Sequence, residues 1–188
     1  MGKHMKFDSS IVQTRIQSPL GDMLLAATHQ GLAGAWFTDQ RHLPEALSVK
    51  NAPQGWPTQD SHPVLLDAAR QLTEFFSGKR KQFDLHLDIN GGTLFQQSVW
   101  RALLKIPYGE TTSYGSISQQ IANPAAVRAV GSAVGRNPLS LIIPCHRVLG
   151  GDGSLTGYAG GLHRKTALLE LEGATFQTGA SQVTTHLF

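Results

Sequence analysis

The stretch NPAAVRAVGSAVG, residues 123–135, predicts the fold of the C-terminal half of this 188-residue chain. Asn123 is a favoured helix N-cap residue and Pro124 suits the first helical position, so a helix should begin here. Gly135 is well placed to end it. Ser113 should cap a shorter helix just before it. Two short helices joined by a few residues form the pattern of a helix-turn-helix.

The predicted second helix carries few bulky side chains, and two interpretations of it stay open. It could pack closely against another helix. Alternatively, its bare face could approach a phosphate backbone, to which Ser132 and backbone amides would donate hydrogen bonds. Arg128 is the single long cation in this helix. A helix that reads bases in the major groove usually presents several Arg, Asn or Gln side chains, so any DNA binding here should be independent of sequence.

Further along the chain, the segment IIPCHRVLG, residues 142–150, contains the only cysteine, Cys145, followed directly by His146. A thiol is a weak nucleophile until it loses its proton, and a neighbouring base is the usual remedy. Adjacent side chains on a regular strand point to opposite faces, so the two residues can cooperate only if the backbone turns or a water bridges them. A structural cysteine beside a surface histidine is the alternative interpretation.

A histidine base needs a third group to hold its tautomer, and the candidates are Asp152 and Glu172. Glu172 ends a helix predicted over residues 162–171, where a carboxylate is disfavoured. This unfavourable placement favours a functional role for Glu172. The apolar run at residues 139–143, just before the cysteine, is predicted to be a short buried strand.

The N-terminal half predicts an α/β domain. Its first three strands are predicted at residues 11–18, 23–27 and 31–37, and their short connections favour an antiparallel meander. Helical spacing of apolar residues predicts a helix over residues 63–76, and alternation over residues 83–89 predicts a fourth strand. Gly91-Gly92 is the predicted boundary to a second domain.

Composition and charge restrict the classes of function. The net charge is +3, and residues 94–188 carry seven Lys/Arg against four Asp/Glu, so the whole excess lies in the half that holds the cysteine. This excess is compatible with an anionic partner. One cysteine excludes an internal disulfide and any zinc site that needs two thiolates, and it fits a reducing compartment. No apolar run approaches the roughly 18 residues of a transmembrane helix, and no signal peptide is expected.

Taken together, these features resemble the signature of the O6-alkylguanine-DNA alkyltransferases. Six motifs carry the resemblance in order and spacing: Tyr114, RAVG (128–131), NP (137–138), IPCHRV (143–148), GYAGG (157–161) and LLELEG (168–173). The likeness is strong over residues 94–173 and weaker, though compatible in layout, over residues 7–92.

The resemblance implies an α/β domain followed by a mostly α domain. Residues 7–92 would form a ribonuclease-H-like N-terminal domain. Residues 93–176 would form a helical domain with a winged-helix-like helix-turn-helix, which holds both the DNA-binding surface and the active site. Residues 177–188 match nothing in the family pattern and are expected to be a mobile tail.

The resemblance also implies a function. The family transfers an alkyl group from O6 of guanine, and less readily from O4 of thymine, to its own cysteine in a single turnover. Cys145 would be the nucleophile, His146 the base acting through a water, Glu172 the group that orients His146, and Asn137 the brace of the turn. No cofactor or metal is expected. The protein should act as a monomer on double-stranded DNA with alkylated bases, without sequence preference, in the cytoplasm and not at a membrane.

Two further groups of residues receive roles by resemblance. The lesion must leave the helix stack to reach the thiol, so Arg128 would fill the gap and Tyr114 would press on the neighbouring phosphate. The predicted protein helix that begins at Pro124 would lie in the minor groove and contact DNA through Ala126, Gly131 and Ser132. The alkylated base would be surrounded by Val148, Tyr158, Ala159 and Gly160, whose small members should leave room for a group as large as benzyl.

Two competing functions differ from alkyl transfer. A module that binds alkylated bases without reacting is the main alternative, but close relatives of that kind have the cysteine replaced, so Cys145 argues against it. A cysteine hydrolase or redox enzyme would need an oxyanion hole or a CxxC motif, and the sequence shows no sign of either.

Overall fold

The computed structural model describes residues 5–47 and 55–177 and divides into two compact units, with the division between Thr93 and Leu94. Residues 178–188, most of the segment predicted to be a mobile tail, lie outside the described residues. Gln177 is described, and its backbone N–H donates to the Gly153 carbonyl at 3.0 Å.

A three-stranded antiparallel sheet forms the centre of the first unit, as predicted. The strands β1 (Val12–Ile16), β2 (Met23–Thr28) and β3 (Gly31–Phe37) lie side by side in chain order. Helix α1 (Pro63–Phe76) packs against the sheet. Every residue of β3 is buried, which explains why its sequence is a continuous apolar run and not an alternation.

An aromatic cluster covers one face of this sheet. Trp36 is fully buried and packs with Phe7 and Trp56. Its indole ring lies over Gly34, because residues two apart on a strand project from the same face. A Cβ on Gly34 would lie only 1.8 Å from an indole carbon. The packing of Trp36 therefore requires glycine at position 34.

The predicted strand at residues 83–89 was wrong. The only residue of this segment that forms a β-bridge is Leu87, which pairs in parallel with Leu32. The Gln71 side chain bonds both the N–H and the carbonyl of Asp84, at 2.8 Å each, and so occupies groups that a strand ladder would use. The alternating apolar side chains of this segment are half-buried, but the alternation is not accompanied by a strand ladder.

The second unit is mostly helical, as predicted. Its α-helices in the described residues are α2 (Leu94–Leu103), α3 (Tyr114–Gln120), α4 (Val127–Gly135) and α5 (Leu162–Leu171). Two short strands, β4 (Thr112–Ser113) and β5 (Val148–Leu149), pair in parallel.

Helices α3 and α4 pack against each other, and both contact α2. Ser113 caps α3 as predicted, since its hydroxyl accepts from the Ser116 N–H at 3.1 Å. Asn123 lies at the N-cap position and Pro124 is the first helical residue, as predicted, but the Asn123 side chain makes no cap hydrogen bond and the first turn, Pro124–Ala126, is a 3₁₀ turn. The start of α4 therefore keeps backbone N–H groups that no side-chain cap satisfies.

A buried tryptophan sets the position of α4. Trp100 of α2 is fully buried, and its indole N–H donates to the Ala133 carbonyl at 2.9 Å. Val130 and Ala133 form part of the inner face of α4, where they are shielded from solvent. One face of α4 is thus used for packing, and the opposite face stays at the surface.

Replacing Gly34 with Ala should destabilise the protein by about 1–3 kcal/mol, the usual cost of overpacking a core, because the indole ring of Trp36 must move. Urea unfolding followed by tryptophan fluorescence measures this loss. Gly151→Ala is the matched control, since a Cβ there meets no atom within 4 Å. Equal stability losses in the two variants would contradict this account of Gly34.

Candidate active site

The cysteine lies on a tight turn and not at the end of a strand. The strand predicted at residues 139–143 was wrong, because this segment folds into a turn. A 3₁₀ turn, Cys145–Arg147, follows it. Side chains on such a turn do not alternate between two faces, and Cys145 and His146 both lie in the interior, 5% and 0% exposed.

Asn137 holds this turn together. Its side-chain oxygen accepts from the Leu139 N–H at 2.9 Å, and its amide nitrogen donates to the Ile143 carbonyl at 2.7 Å. These bonds occupy backbone groups that a strand ladder would need, which explains why the apolar run is not a strand. The same nitrogen lies 3.0 Å from Cys145 Sγ, so an N–H group faces the atom on which negative charge would develop.

Burial makes the Cys145 thiol a poor acid. Removal from water raises the pKa of the thiol above its ordinary value. The hydrogen bond from Asn137 and the positive charge of Lys165 offset part of that rise. The resting group is therefore the thiol, and a base is needed to generate the thiolate.

The imidazole of His146 has the properties of such a base. Burial lowers its pKa below the ordinary value, so the ring is neutral near pH 7 and can accept a proton. Its Nε2 lies 2.7 Å from a carboxylate oxygen of Glu172. An ionised carboxylate can only accept, so the ring proton belongs on Nε2 and the lone pair on Nδ1. Nδ1 makes no hydrogen bond with any described residue.

Of the two carboxylates considered as partners of His146, the one that contacts it is Glu172, which the sequence favoured and the resemblance implied. Asp152 is exposed and instead accepts from the backbone N–H and the hydroxyl of Ser154. Because Nδ1 is unbonded, Cys145 and His146 share no direct hydrogen bond through that atom. Proton transfer between them would need a bridging molecule.

The predicted pocket residues lie on the segment that follows the cysteine. Val148 is in β5, Tyr158 and Gly160 are buried, and Ala159 is half-buried. Burial raises the pKa of the Tyr158 hydroxyl well above its ordinary value, so this group stays protonated and can donate. The Val148 carbonyl accepts from Lys165 at 2.6 Å, which leaves it one lone pair.

A second group of predicted residues lies at the surface of the same unit. Arg128 and Ser132 of α4 are exposed, and Ala126 and Gly131 are half-buried. The ring of Tyr114 lies beside Gly131, where a Cβ would approach it to 3.9 Å. Arg128 and Ser132 are therefore open to a partner at the surface, whereas Cys145 is buried.

Two kinds of site are absent from the described residues. Within residues 5–47 and 55–177, no cluster of three or more His, Cys, Asp or Glu side chains is placed to hold a metal ion. None of the helices in those ranges has both the length and the apolar character to span a bilayer.

Comparison with known proteins assigns the chain to a family. The DNA-binding domain of the 6-O-methylguanine DNA methyltransferases matches residues 94–174, and the ribonuclease-like domain of the same family matches residues 11–89. The chain belongs to the 6-O-methylguanine DNA methyltransferase family. The predictions of this family, and of a ribonuclease-like α/β domain followed by a mostly helical domain, are confirmed.

Relatives within the methyltransferase family resemble both units. The methylated-DNA–protein-cysteine methyltransferases of Mycobacterium leprae and Methanosarcina barkeri are 45% and 48% identical over 157 and 159 residues, which is 84% of this chain and 89% and 94% of theirs. The crystal structure of Mycobacterium tuberculosis OGT in complex with DNA has a TM-score of 0.74 and 45% identity, covering 86% of this chain and 92% of that one.

Two residues that shape the site of this methyltransferase were missed at the sequence level, and Arg147 is the first. Its guanidinium binds the Glu172 carboxylate through two nitrogens, at 2.8 and 2.9 Å, and donates to the Ile106 carbonyl at 2.6 Å. Burial alone would raise the pKa of Glu172, but the hydrogen bonds from His146 and Arg147 lower it to about 2. The position of Arg147 next to His146 was the available signal.

Lys165 is the second missed residue. Its side chain is fully buried, and its ammonium donates to the carbonyls of Val148 and Thr156 at 2.6 Å each. Burial lowers its pKa to about 8. This cation joins β5 to the segment that leads to Tyr158, and its charge favours the thiolate of Cys145. Nothing in the sequence distinguishes Lys165 from a surface lysine.

Glu172→Gln should destabilise the protein by about 3–5 kcal/mol at pH 7, because it leaves Arg147 buried without its counter-charge. The pKa of Glu172 is depressed in the folded state, so its contribution is present above about pH 4.5 and is lost as the pH falls toward 2. Thermal unfolding across this pH range should show that the variant loses less stability toward low pH than the parent protein does. Glu170→Gln, at an exposed site of α5, is the control. If Glu172→Gln and the parent protein lost the same thermal stability as the pH falls, the role given to Glu172 would be refuted.

Proposed function

We propose that this chain repairs DNA by direct reversal, moving the alkyl group from O6 of guanine, and less readily from O4 of thymine, onto Cys145 in a single turnover. One observation carries the proposal: a buried thiol lies next to a neutral His146 whose far nitrogen is bonded to Glu172. The relatives described above are named methylated-DNA–protein-cysteine methyltransferases, an activity that such a site supports.

The groups around Cys145 can carry each proton and electron pair of the reaction. A water between Sγ and the Nδ1 of His146 carries the thiol proton to the imidazole, and Glu172 stabilises the imidazolium. The thiolate attacks the alkyl carbon, the S–C bond forms as the bond to O6 breaks, and the electron pair stays on the guanine. The Tyr158 hydroxyl and the Ala159 N–H donate hydrogen bonds to the leaving base. The proton that left the thiol passes from the imidazolium of His146 through water to the guanine, which takes it up in place of the alkyl group.

The chemistry of the product accounts for one turnover. A thioether carries no good leaving group, so neither His146 nor water can regenerate the thiol of Cys145. The alternative, a module that binds alkylated bases without reacting, has no use for a thiol with a base and an orienting carboxylate. The relay of Cys145, His146 and Glu172 is therefore the argument against that alternative.

The exposed face of α4 supports binding to double-stranded DNA without sequence preference. Arg128 is its one long side chain, and the small residues around it allow the backbone to come close to a minor groove. The chain has no acidic residue between Glu110 and Asp152, so no carboxylate from this stretch opposes the phosphates. In this proposal Arg128 fills the gap left by the flipped base, Tyr114 presses on the adjacent phosphate, and the protein acts as a monomer at DNA in the cytoplasm.

Intact mass after mixing with a duplex containing O6-methylguanine tests the reaction. The parent protein should gain the mass of one methylene group, located on Cys145. Cys145→Ser should gain none but still bind the duplex, because a serine hydroxyl is far harder to ionise. His146→Ala should slow transfer by about 10²-fold or more, the usual scale for loss of a base. Parent-like transfer by His146→Ala would remove the relay from the mechanism.

Arg128→Ala should slow repair in duplex DNA more than reaction with free O6-benzylguanine, since a free base needs no replacement in a helix stack. Rates of inactivation by the free base and rates of methyl transfer from duplex DNA measure the two effects. Arg136→Ala, a half-buried arginine next to the end of α4, is the matched control. Equal losses on both substrates would show that Arg128 supports the fold or the chemistry instead.

A further inference from the structure

A groove on the second unit is lined by residues that belong neither to the proposed active site nor to the proposed DNA-binding face of α4. It has a volume of about 610 Å³ and lies between the C-terminal part of α2 and the end of α3. Its lining includes Ser98, Arg101, Lys105, Gln120, Ile121 and Ala122.

The charge of this groove is positive and uncompensated. Arg101 and Lys105 are four residues apart along α2 and the turn after it, and both are exposed. Arg101 donates to the Gln97 side chain at 3.1 Å, and no ion pair joins Arg101 or Lys105 to a carboxylate within the described part of the chain. Over residues 94–151 the chain carries five Lys/Arg and a single acidic residue.

The elements that line the groove are continuous with, and pack against, the helix proposed to meet DNA. Ile121 and Ala122 form one of its walls, and the chain runs from them through the 3₁₀ turn Pro124–Ala126 into α4. Ala122 has a φ of 56°, which turns the chain sharply between the two helices. A sugar-phosphate strand that passes the N-terminal end of α4 would therefore continue toward the cations of the groove.

We propose that this groove binds backbone phosphates of the same duplex, outside the region that α4 contacts. The proposal rests on the proposed function, because it requires that α4 lies against DNA. Arg101 would bind a phosphate through its guanidinium fork, and Lys105 would supply a second point charge. Ser98 and Gln120 would add neutral donors to the same backbone.

The chemistry of the lining favours phosphodiester over a protein partner. A protein docking site is centred on buried aromatic or large aliphatic anchors, and Ile121 is the one large apolar side chain among the groove's lining residues. Arg101 lies in the last turn of α2, where its charge offsets the partial negative charge of the helix end, which would otherwise repel a phosphate. Lys105 lies beyond the end of that helix.

The test is the double variant Arg101→Gln/Lys105→Gln, which keeps long polar side chains and removes both charges. Its affinity for an undamaged duplex is measured against salt concentration, with Arg41→Gln/Lys79→Gln in the first unit as a control of equal charge change. Each lost phosphate contact should reduce the slope of log K against log salt by about 0.9, so we expect a decrease of roughly 1–2. The control should keep the parent slope.

The double variant should also be inactivated by free O6-benzylguanine at the parent rate, because the groove residues do not contact the thiol site.

Duplex length separates this proposal from the function on which it rests. On a duplex too short to extend past α4, the double variant and the parent protein should bind equally, and the difference should appear only on longer duplexes. Equal salt slopes for both proteins on long duplexes would overturn the groove proposal and leave the proposed function intact. Failure of the parent protein to bind any duplex would instead remove the proposed function. A slope change matched by the control would show a general effect of net charge and would also overturn the groove proposal.

Discussion

The buried carboxylate of Glu172 is the group on which the rest of the site depends. It accepts from His146, from two nitrogens of Arg147 and from the Gly109 N–H at 3.2 Å. An ionised carboxylate is stable in the interior only when it is paired and hydrogen-bonded. The end of α5, the turn that bears the cysteine and the turn before β4 must therefore assemble together, so the orientation of His146 is a consequence of folding and not a separate adjustment.

Cys145 shows how burial and reactivity are balanced. Exclusion of water raises the pKa of the thiol, and a thiol that stays protonated reacts slowly with electrophiles. Two groups that favour the thiolate are already in place around the thiol: an N–H of Asn137 at 3.0 Å and the ammonium of Lys165. Donors and charges that are held in position by the fold are the advantage of a preorganised site.

The surface of α4 and the interior of the site are connected through the second unit. The Tyr114 hydroxyl lies 3.4 Å from the Gly157 carbonyl and 3.5 Å from the Thr156 hydroxyl, both long contacts. The carbonyl of Thr156 in turn accepts from Lys165, whose ammonium also holds Val148. Tyr114, whose ring lies beside Gly131 of α4, therefore contacts the segment that Lys165 joins to β5.

Local sequence patterns determined much of the fold, because a helix or a hairpin is specified by neighbours within a few residues. Helical spacing placed α1 and α5 at the bounds that the structure shows, and the short turns placed β1, β2 and β3 in a meander. The motif around Cys145 was enough to nominate the thiol, the adjacent imidazole and a distant carboxylate.

The periodicity of apolar residues indicates which side chains face the interior, but it does not indicate which groups the backbone binds. The segments 83–89 and 139–143 therefore read as strands, although the amides of Gln71 and Asn137 bind their backbones instead. The sequence favoured Glu172 over Asp152 as the partner of His146, but only the tertiary structure decided that Arg147 shares this carboxylate and that Arg147 and Lys165 are buried cations. Each of those outcomes depends on contacts between residues 17 to 26 positions apart, whose distances no local pattern records.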